Sequence, residues 1–170
     1  MQRRDFFKLV FGMCTGAIAA IVGIPVVAAF LDPTRRPTVI HGKGPKAFGR
    51  VSDLVVGTPC KLDVIDDSRD AWDRTQAQPI GAVWLVRRQE QKVDAYVVAC
   101  PHLGCPTDFD TKARVFTCPC HDSAFDLADG RCLKGPSPRG LDPLPVDVQN
   151  GEVFVTYKRF VQGIPSRREA

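Results

Sequence analysis

One long apolar run stands near the start of the chain. Residues 9–31 contain no charged side chain and are flanked by Lys8 and Asp32. In helical form a run of this length crosses a hydrocarbon layer about 30 Å thick. Gly23 and Pro25 would weaken a helix in water, but a membrane helix tolerates them. The pattern therefore predicts one transmembrane anchor over residues 9–31.

The rest of the chain alternates short apolar runs with turn residues, which is typical of β-structure. Residues 32–49 are rich in proline and glycine and predict a flexible tether. Asn150-Gly151 lies between two alternating segments and predicts a hairpin. Residues 66–78 could hold a short helix. The predicted strands are Arg50–Val56, Cys60–Ile65, Ile80–Arg88, Val93–Ala99, Arg114–Thr117, Ala124–Leu127 and Glu152–Tyr157.

These segments predict an all-β domain over residues 50–157, followed by a tail over residues 158–170. The formal net charge of the chain is +4, of which residues 1–8 contribute +2 and the tail +3. The body of the chain is therefore slightly acidic, and we expect no nucleic-acid partner. We expect the tail to be solvated, with a role in binding a partner as the alternative.

Basic residues before the apolar run set its expected orientation. Arg3, Arg4 and Lys8 precede it, and the positive-inside rule then keeps the N-terminus in the cytoplasm. Residues 1–8 also resemble a twin-arginine export signal, although they could be orienting charges alone. No small-residue cleavage site follows the run. We therefore expect a single-pass anchor in the inner (cytoplasmic) membrane, with the β domain on the outer or periplasmic side.

The cysteines are unevenly placed. Of the seven in the chain, four fall between Cys100 and Cys120. They belong to two runs, C-P-H-L-G-C at residues 100–105 and C-P-C-H at residues 118–121. Each run offers one thiolate, one imidazole and a further cysteine, and each follows a predicted strand. Such a donor set indicates a site for a soft metal.

The two runs match the paired signatures C-x-H-x-G-C and C-x-C-H of the Rieske iron-sulfur proteins, and the chain therefore resembles that family. The resemblance implies one [2Fe-2S] cluster in which Cys100 and Cys118 hold one iron. It implies that His102 and His121 hold the other iron and take part in the reaction. The resemblance also implies a Rieske-type antiparallel β-sandwich, with a small inserted cluster-binding subdomain at about residues 98–142.

The family resemblance further implies that Cys105 and Cys120 form a disulfide between the two runs, which export from the cytoplasm would permit. A structural zinc site is the alternative, because two thiolates and two imidazoles are also a zinc ligand set. Zinc ligands usually come as a pair of cysteines followed by a pair of histidines. Here each run mixes the two types, which favours the cluster.

Residues around the runs extend the resemblance. The segment Gly135-Pro136-Ser137-Pro138 resembles the Pro loop that covers the cluster in quinol-oxidising members, and its prolines would stiffen it. Ser123 stands where the family has a hydroxyl donor to a bridging sulfide. Phe125 replaces a tyrosine that donates to a ligand sulfur in high-potential relatives. With fewer such bonds, and with Asp122 nearby, we expect a lowered potential suited to menaquinol.

The resemblance implies the Rieske subunit of a cytochrome bc or b6f type complex. Such a subunit takes an electron and a proton from quinol and passes the electron to a cytochrome c type heme, with cytochrome b as a further partner. In the family, the residue at His121 contacts quinol and the residue at Leu103 lies on the docking surface. Two alternatives are the small subunit of an exported molybdenum oxidase, such as arsenite oxidase, and a Rieske ferredoxin of an oxygenase system.

Overall fold

The N-terminal apolar run forms a single helix. The computed structural model describes residues 2–35, 44–69 and 74–170. Helix α1 spans Arg3–Arg35 and contains the whole predicted anchor. Within it, a stretch of 30 residues is long and apolar enough to cross a membrane, and its side chains are not buried against the rest of the protein. The chain thus carries one N-terminal helix with the properties of a single-pass membrane anchor.

The described residues after α1 form eleven β-strands and one short 3₁₀ helix at Val51–Asp53. The strands are β1 Pro45–Arg50, β2 Pro59–Arg69, β3 Arg74–Gln89, β4 Lys92–Val97, β5 Asp108–Asp110, β6 Val115–Cys118, β7 Ser123–Asp126, β8 Cys132–Lys134, β9 Pro143–Leu144, β10 Val146–Gln149 and β11 Glu152–Thr156.

The strands pair antiparallel in three sheets, with the orders β1-β11-β10, β2-β3-β4-β9 and β5-β6-β7-β8. The third sheet is inserted in the chain between β4 and β9, as the predicted cluster-binding subdomain requires. The predicted hairpin at Asn150-Gly151 joins β10 to β11. Both turn residues have positive φ, as the tight turn of a two-residue hairpin demands. The all-β antiparallel fold is thus confirmed.

Strand β3 separates two hydrophobic cores, because its successive side chains point to opposite faces. Val83 and Leu85 belong to the core shared with the first sheet. Trp84 and Val86 belong to a second core, together with side chains of the inserted sheet. Burial on both faces explains why β3 has no polar side chain from Ile80 to Val86 apart from the indole of Trp84.

Three local predictions differ from the structure. Strand β1 lies within the predicted tether, and as an edge strand it accommodates Pro45. The segment that begins at Arg50 turns into a 3₁₀ helix, because Val51 and Leu54 are both buried at the spacing of one turn. The possible helix at residues 66–78 is wrong for residues 66–69 and 74–78, the part that the structure describes, because these residues pair as strands β2 and β3. Residues 36–43 of the predicted tether lie outside the described residues.

The basic tail is also ordered. Residues Lys158–Ala170, which we call the C-terminal strap, fold back on themselves, with the Val161 amide donating to the Arg168 carbonyl at 2.9 Å. Phe160 packs against the first hydrophobic core. The expectation of a solvated tail is therefore wrong for its first part, where Phe160 gives the strap an apolar attachment to the domain, whereas residues 165–170 are exposed.

Candidate metal centre

The first cysteine–histidine run is a tight reversal after strand β4. The amide of Cys100 donates to the carbonyl of Cys105 at 2.8 Å, and the amide of Gly104 donates to the carbonyl of Cys100 at 2.9 Å. Gly104 has a φ of +81°, which a residue with a side chain rarely adopts. These bonds bring the two ends of the run together and leave Leu103 at its tip, with 64% of its surface exposed.

The second run is the turn of a β-hairpin. Cys118 is the last residue of β6 and pairs with Ser123, the first residue of β7. The amide of Asp122 donates to the carbonyl of Cys118 at 3.1 Å and closes the turn. Asp122 has a φ of +61°, in the left-handed region that aspartate tolerates better than most residues. The C-P-C-H sequence is therefore shaped by its own strands.

A disulfide joins the two runs. Cys105 and Cys120 are bonded, with their Cα atoms 6.5 Å apart, which confirms the predicted pair. The sulfur of Cys118 lies within 4.8 Å of both of their sulfurs. A cysteine in a disulfide offers no thiolate, however, so of these three only Cys118 remains free to bind a metal.

The two remaining thiols are buried and the two imidazoles lie further out. Cys100 and Cys118 are 0% and 2% exposed, and both belong to the second hydrophobic core. The ring centroids of His102 and His121 are 4.8 Å apart, with the rings edge to face. His102 is half-buried and His121 is exposed. The structure thus brings the two predicted sulfur ligands together inside the domain and the two predicted imidazole ligands together further out.

Burial shapes the chemistry of the inner pair. It is the main reason that the pKa of the Cys100 thiol rises to about 11, with a hydrogen bond from the His102 backbone acting against it and the Cys118 thiol adding to it. Two neighbouring buried thiolates would be costly without a cation between or beside them. A metal that replaces their protons removes that cost.

A buried hydroxyl lies beside the inner pair of thiols. Ser123 Oγ lies beside Cys100 but makes no hydrogen bond of normal geometry within the described part of the chain. Buried hydroxyls are normally satisfied, so an orphaned one marks a place where a further acceptor fits. A sulfide or thiolate of a cluster is such an acceptor. The donor set and this hydroxyl therefore fit a [2Fe-2S] group.

The predicted Pro loop contacts the second run. A Cβ on Gly135 would lie 2.5 Å from the Cα atom of Ser123, so only glycine permits this approach. Pro136 is exposed and Pro138 is half-buried, and between them the Ser137 hydroxyl donates to the carbonyl of Arg139 at 2.8 Å. The loop thus starts against the hairpin turn and ends in a buried hydrogen bond.

Two further predicted residues have clear positions. Phe125 is fully buried in the same core as Cys100 and Cys118. Its ring carries no hydroxyl that could donate a hydrogen bond to a sulfur. Asp122 is exposed and lies 4.0 Å from the ammonium group of Lys134.

Sequence reasoning missed a buried ion pair between Arg139 and Asp142. The two residues stand three apart just after the Pro loop, with Gly140 and Leu141 between them. A charged pair at this spacing usually marks an exposed face. What distinguishes this pair is the burial of the residues around it, since Leu141 is 1% exposed. A single sequence does not show that burial.

Comparisons with known proteins agree with this geometry. Residues 45–151 match the family model of the Rieske [2Fe-2S] domain. The chain is 32% identical over 162 residues to the cytochrome b6-f complex iron-sulfur subunit of Synechococcus sp. (strain WH7803), an alignment that covers 92% of this chain and 85% of the relative. The corresponding subunit 1 of Nostoc sp. (strain PCC 7120) is 28% identical over 162 residues, with coverage of 92% and 84%.

Two solved structures are also similar to this chain. The plasma membrane Rieske protein PetC3 of Synechocystis PCC 6803 matches at 26% identity and a TM-score of 0.49, covering 66% of this chain and 99% of that protein. The quaternary ammonium Rieske monooxygenase CntA in its apo form matches at 20% identity and a TM-score of 0.50, covering 69% and 34%. With its paired runs, its fold and these relatives, the chain belongs to the Rieske [2Fe-2S] family, and its cofactor is a [2Fe-2S] cluster.

Proposed function

We propose that this chain is the membrane-anchored Rieske subunit of a cytochrome bc or b6f type complex, which carries an electron from quinol to a cytochrome c type heme. Relatives at 28–32% identity over nearly the whole chain are iron-sulfur subunits of the cytochrome b6-f complex. The apolar helix α1 supports attachment to a membrane. The chain itself acts as an electron carrier within such an oxidoreductase.

The proposed cluster ligands are Cys100 and Cys118 on one iron and His102 and His121 on the other. The observation that carries this proposal is the edge-to-face approach of the two imidazoles, 4.8 Å apart, at the outer side of two buried thiols. Because Cys105 and Cys120 are bonded to each other, they are excluded as thiolate ligands. Neutral imidazoles give a less negative site than four thiolates, which raises the potential above that of an all-cysteine ferredoxin.

When bound, the cluster supplies one-electron transfer, and the surrounding residues determine what reaches it. The exposed ring of His121 offers a nitrogen for a hydrogen bond with a quinol hydroxyl and for the proton that leaves with the electron. Leu103 presents an apolar side chain at the same end of the domain, where the quinol site of cytochrome b would receive it. The Ser123 hydroxyl would be available to donate to a sulfur of the bound cluster, and the Pro loop would cover the hairpin side.

Electron paramagnetic resonance of the reduced full-length protein tests the ligand assignment. We expect the low average g value of a histidine-ligated [2Fe-2S] cluster, and we expect Cys118→Ser and His121→Gln to abolish it or shift it strongly. Cys132→Ser is a matched control, because that half-buried thiol lies on β8 outside the two runs. An unchanged spectrum in Cys118→Ser would contradict the assignment.

The partners can be identified by purification of the tagged full-length chain from its native membranes. The proposal expects cytochrome b and a cytochrome c type subunit in the same complex, with quinol-dependent reduction of the heme. Recovery of a molybdopterin subunit without cytochrome b would instead support an exported molybdenum oxidase.

The low potential suited to menaquinol rests on Phe125. Phe125 is buried in the same core as Cys100 and Cys118, so a tyrosine there would add a hydroxyl that could donate to a ligand sulfur. A hydrogen bond that favours the reduced cluster tenfold raises the midpoint by about 60 mV. We therefore expect Phe125→Tyr to raise the reduction midpoint, measured by redox titration of the signal, and an unchanged midpoint would refute this explanation.

Delivery to the outer face of the inner membrane is proposed to use the twin-arginine route. That route carries folded proteins and so permits cluster insertion before export. Replacing Arg3 and Arg4 by lysine keeps the positive charge next to helix α1. We expect the paired lysine variant to remain on the cytoplasmic side, as judged by protease protection in spheroplasts, whereas normal export would show that the two arginines only orient the helix.

A further inference from the structure

The C-terminal strap touches the first cysteine–histidine run, although more than fifty residues separate them in the chain. The amide of Gly163 donates a hydrogen bond of 2.9 Å to the carbonyl of Pro101, the residue between Cys100 and His102. A Cβ on Gly163 would lie 3.6 Å from the carbonyl oxygen of His102. The strap therefore holds the backbone that links the two proposed ligands of this run.

One guanidinium fixes the strap in that position. Arg139 is only 8% exposed, and it donates to the carbonyl of Val161 at 3.0 Å and to the carbonyl of Ile164. These two carbonyls lie on either side of Gly163 in the chain. The side chain of Arg139 therefore determines where the Gly163 amide is presented to Pro101.

Asp142 orients that guanidinium from the other side. Its carboxylate is 1% exposed and accepts from Arg139 Nε at 2.8 Å and from Nη2 at 2.7 Å. The backbone carbonyl of Asp142 also accepts the amide of Val97 at 2.9 Å. Val97 is the last residue of β4, the strand that leads into the first run. The contacts thus connect the strand that leads into the first run, through Asp142, Arg139 and the strap, to Pro101 within that run.

A buried ion pair is weak evidence for added stability, because the cost of removing two charges from water offsets their attraction. Arg139 uses its fork for four specific bonds, two to the carboxylate that directly precedes β9 and two to the strap. A planar guanidinium with several fixed donors holds its acceptors in one geometry better than a point charge would.

We propose that Arg139, oriented by Asp142, is a positioning residue that holds the first run through the strap and so sets the place of His102 relative to His121. This inference rests on the proposed ligand set. Outer contacts of metal ligands commonly control how firmly the metal is held and how its environment is tuned.

The test compares Arg139→Lys with Arg159→Lys in the purified full-length protein. Lysine at 139 keeps a positive charge next to Asp142 but cannot form the fork. Arg159 also lies on the strap, but its guanidinium donates to the carbonyl of Ile80 on β3 at 2.9 Å and not to a carbonyl beside Gly163. The same substitution there is a matched control.

We expect Arg139→Lys to shift the electron paramagnetic resonance lines and to speed the loss of cluster absorbance in a chelator about tenfold. We expect Arg159→Lys to leave both readouts at their wild-type values. Equal behaviour of the two variants would overturn the proposal. A lower unfolding temperature of Arg139→Lys with wild-type spectra and chelator resistance would also overturn the proposal, because that result would mean that Arg139 contributes only to packing.

A chain that ends at Phe160 provides a second test if Arg139→Lys does not fold. It removes the carbonyls and amide of the strap, together with Arg167, whose Nε lies 3.6 Å from the Asp142 carboxylate, but keeps Phe160, Arg139 and Asp142. We expect the same spectral change, and no additional change when Arg139→Lys is combined with it. Wild-type spectra in the shortened chain would overturn the proposal. Absence of the low average g signal in the wild type would instead contradict the ligand set itself.

Discussion

The two ligand runs do related work but are held in different ways. The second run is the turn of the β6–β7 hairpin, and its closing bond joins Asp122 to Cys118, four residues apart. The first run follows β4 and is fixed by its own short turn, by the disulfide and by contact with the strap. One run is shaped by neighbouring residues, and the other depends on residues from distant parts of the chain.

This difference separates the substitutions that should affect each run. Changes in the strap or beneath it should act on the Cys100–His102 side, and changes in the hairpin or the Pro loop should act on the Cys118–His121 side. The disulfide belongs to both runs and should affect both. The effects of such variants on each run therefore measure how independently the two halves of the site are held.

The largest effect is expected from Asp142→Asn, which leaves the Arg139 guanidinium buried without its carboxylate. Removing one partner of a buried pair typically costs about 3 to 5 kcal/mol of unfolding free energy. Denaturant unfolding of the full-length protein measures it, with Asp129→Asn as the control because that side chain is 60% exposed. A similar small loss in both variants would show that the pair is dispensable.

Removal of the disulfide should come next. With a sequence separation of 15 residues between Cys105 and Cys120, loop-closure entropy gives a loss of about 3 kcal/mol on removal of the bond. The Cys105→Ala, Cys120→Ala double variant should also lose its cluster faster in chelator, with the spectral signature of both runs affected. A double variant as stable and as chelator-resistant as the wild type would mean that the sheets alone hold the runs together.

A smaller effect is expected from Gly135→Ala. The new methyl group would meet the backbone of Ser123, and overpacking of this kind costs about 1 to 3 kcal/mol. Gly151→Ala is the control for backbone strain, because Gly151 also has positive φ but has nothing within 4 Å of the new carbon. If the two variants unfold at the same denaturant concentration, contact between the Pro loop and the hairpin is unimportant.

The smallest effect is a pH dependence at the far end of the β6–β7 hairpin. A hydrogen bond from the Ala128 amide, assisted by Arg131, lowers the pKa of the Asp126 carboxyl. Its stabilisation is therefore present above the unfolded pKa of about 4 and is lost as pH falls through the lower folded pKa. Asp126→Asn should flatten the fall in melting temperature below pH 4, and an unaltered acid limb would exclude this contribution.

Much of the fold could be predicted because the signals were local. The uninterrupted apolar run predicted the anchor, and Asn150-Gly151 predicted its hairpin since both residues adopt positive φ readily. The paired signatures brought the family resemblance, from which the Cys105–Cys120 disulfide was correctly predicted. Each of these depends on residues close together in the chain or on a complete motif.

The wrong predictions concern contacts between residues that are far apart in the chain. Strand β1 has little apolar content of its own and exists because β11 is available to pair with it, more than one hundred residues later. The strap is rich in charge, but Phe160 and the carbonyls that Arg139 binds attach it to the domain. A local sequence pattern does not show such contacts, because the partners meet only when the sheets assemble.

The order of these elements along the chain has a consequence for biosynthesis. All four proposed ligands precede the strap, which begins 37 residues after His121. Since translation proceeds from the N-terminus, the hairpin that carries the second run can form while the strap is still being synthesised. The contact between Gly163 and Pro101 forms last. A ribosome-bound chain would therefore have all four ligand residues outside the strap before the strap could fix the first run.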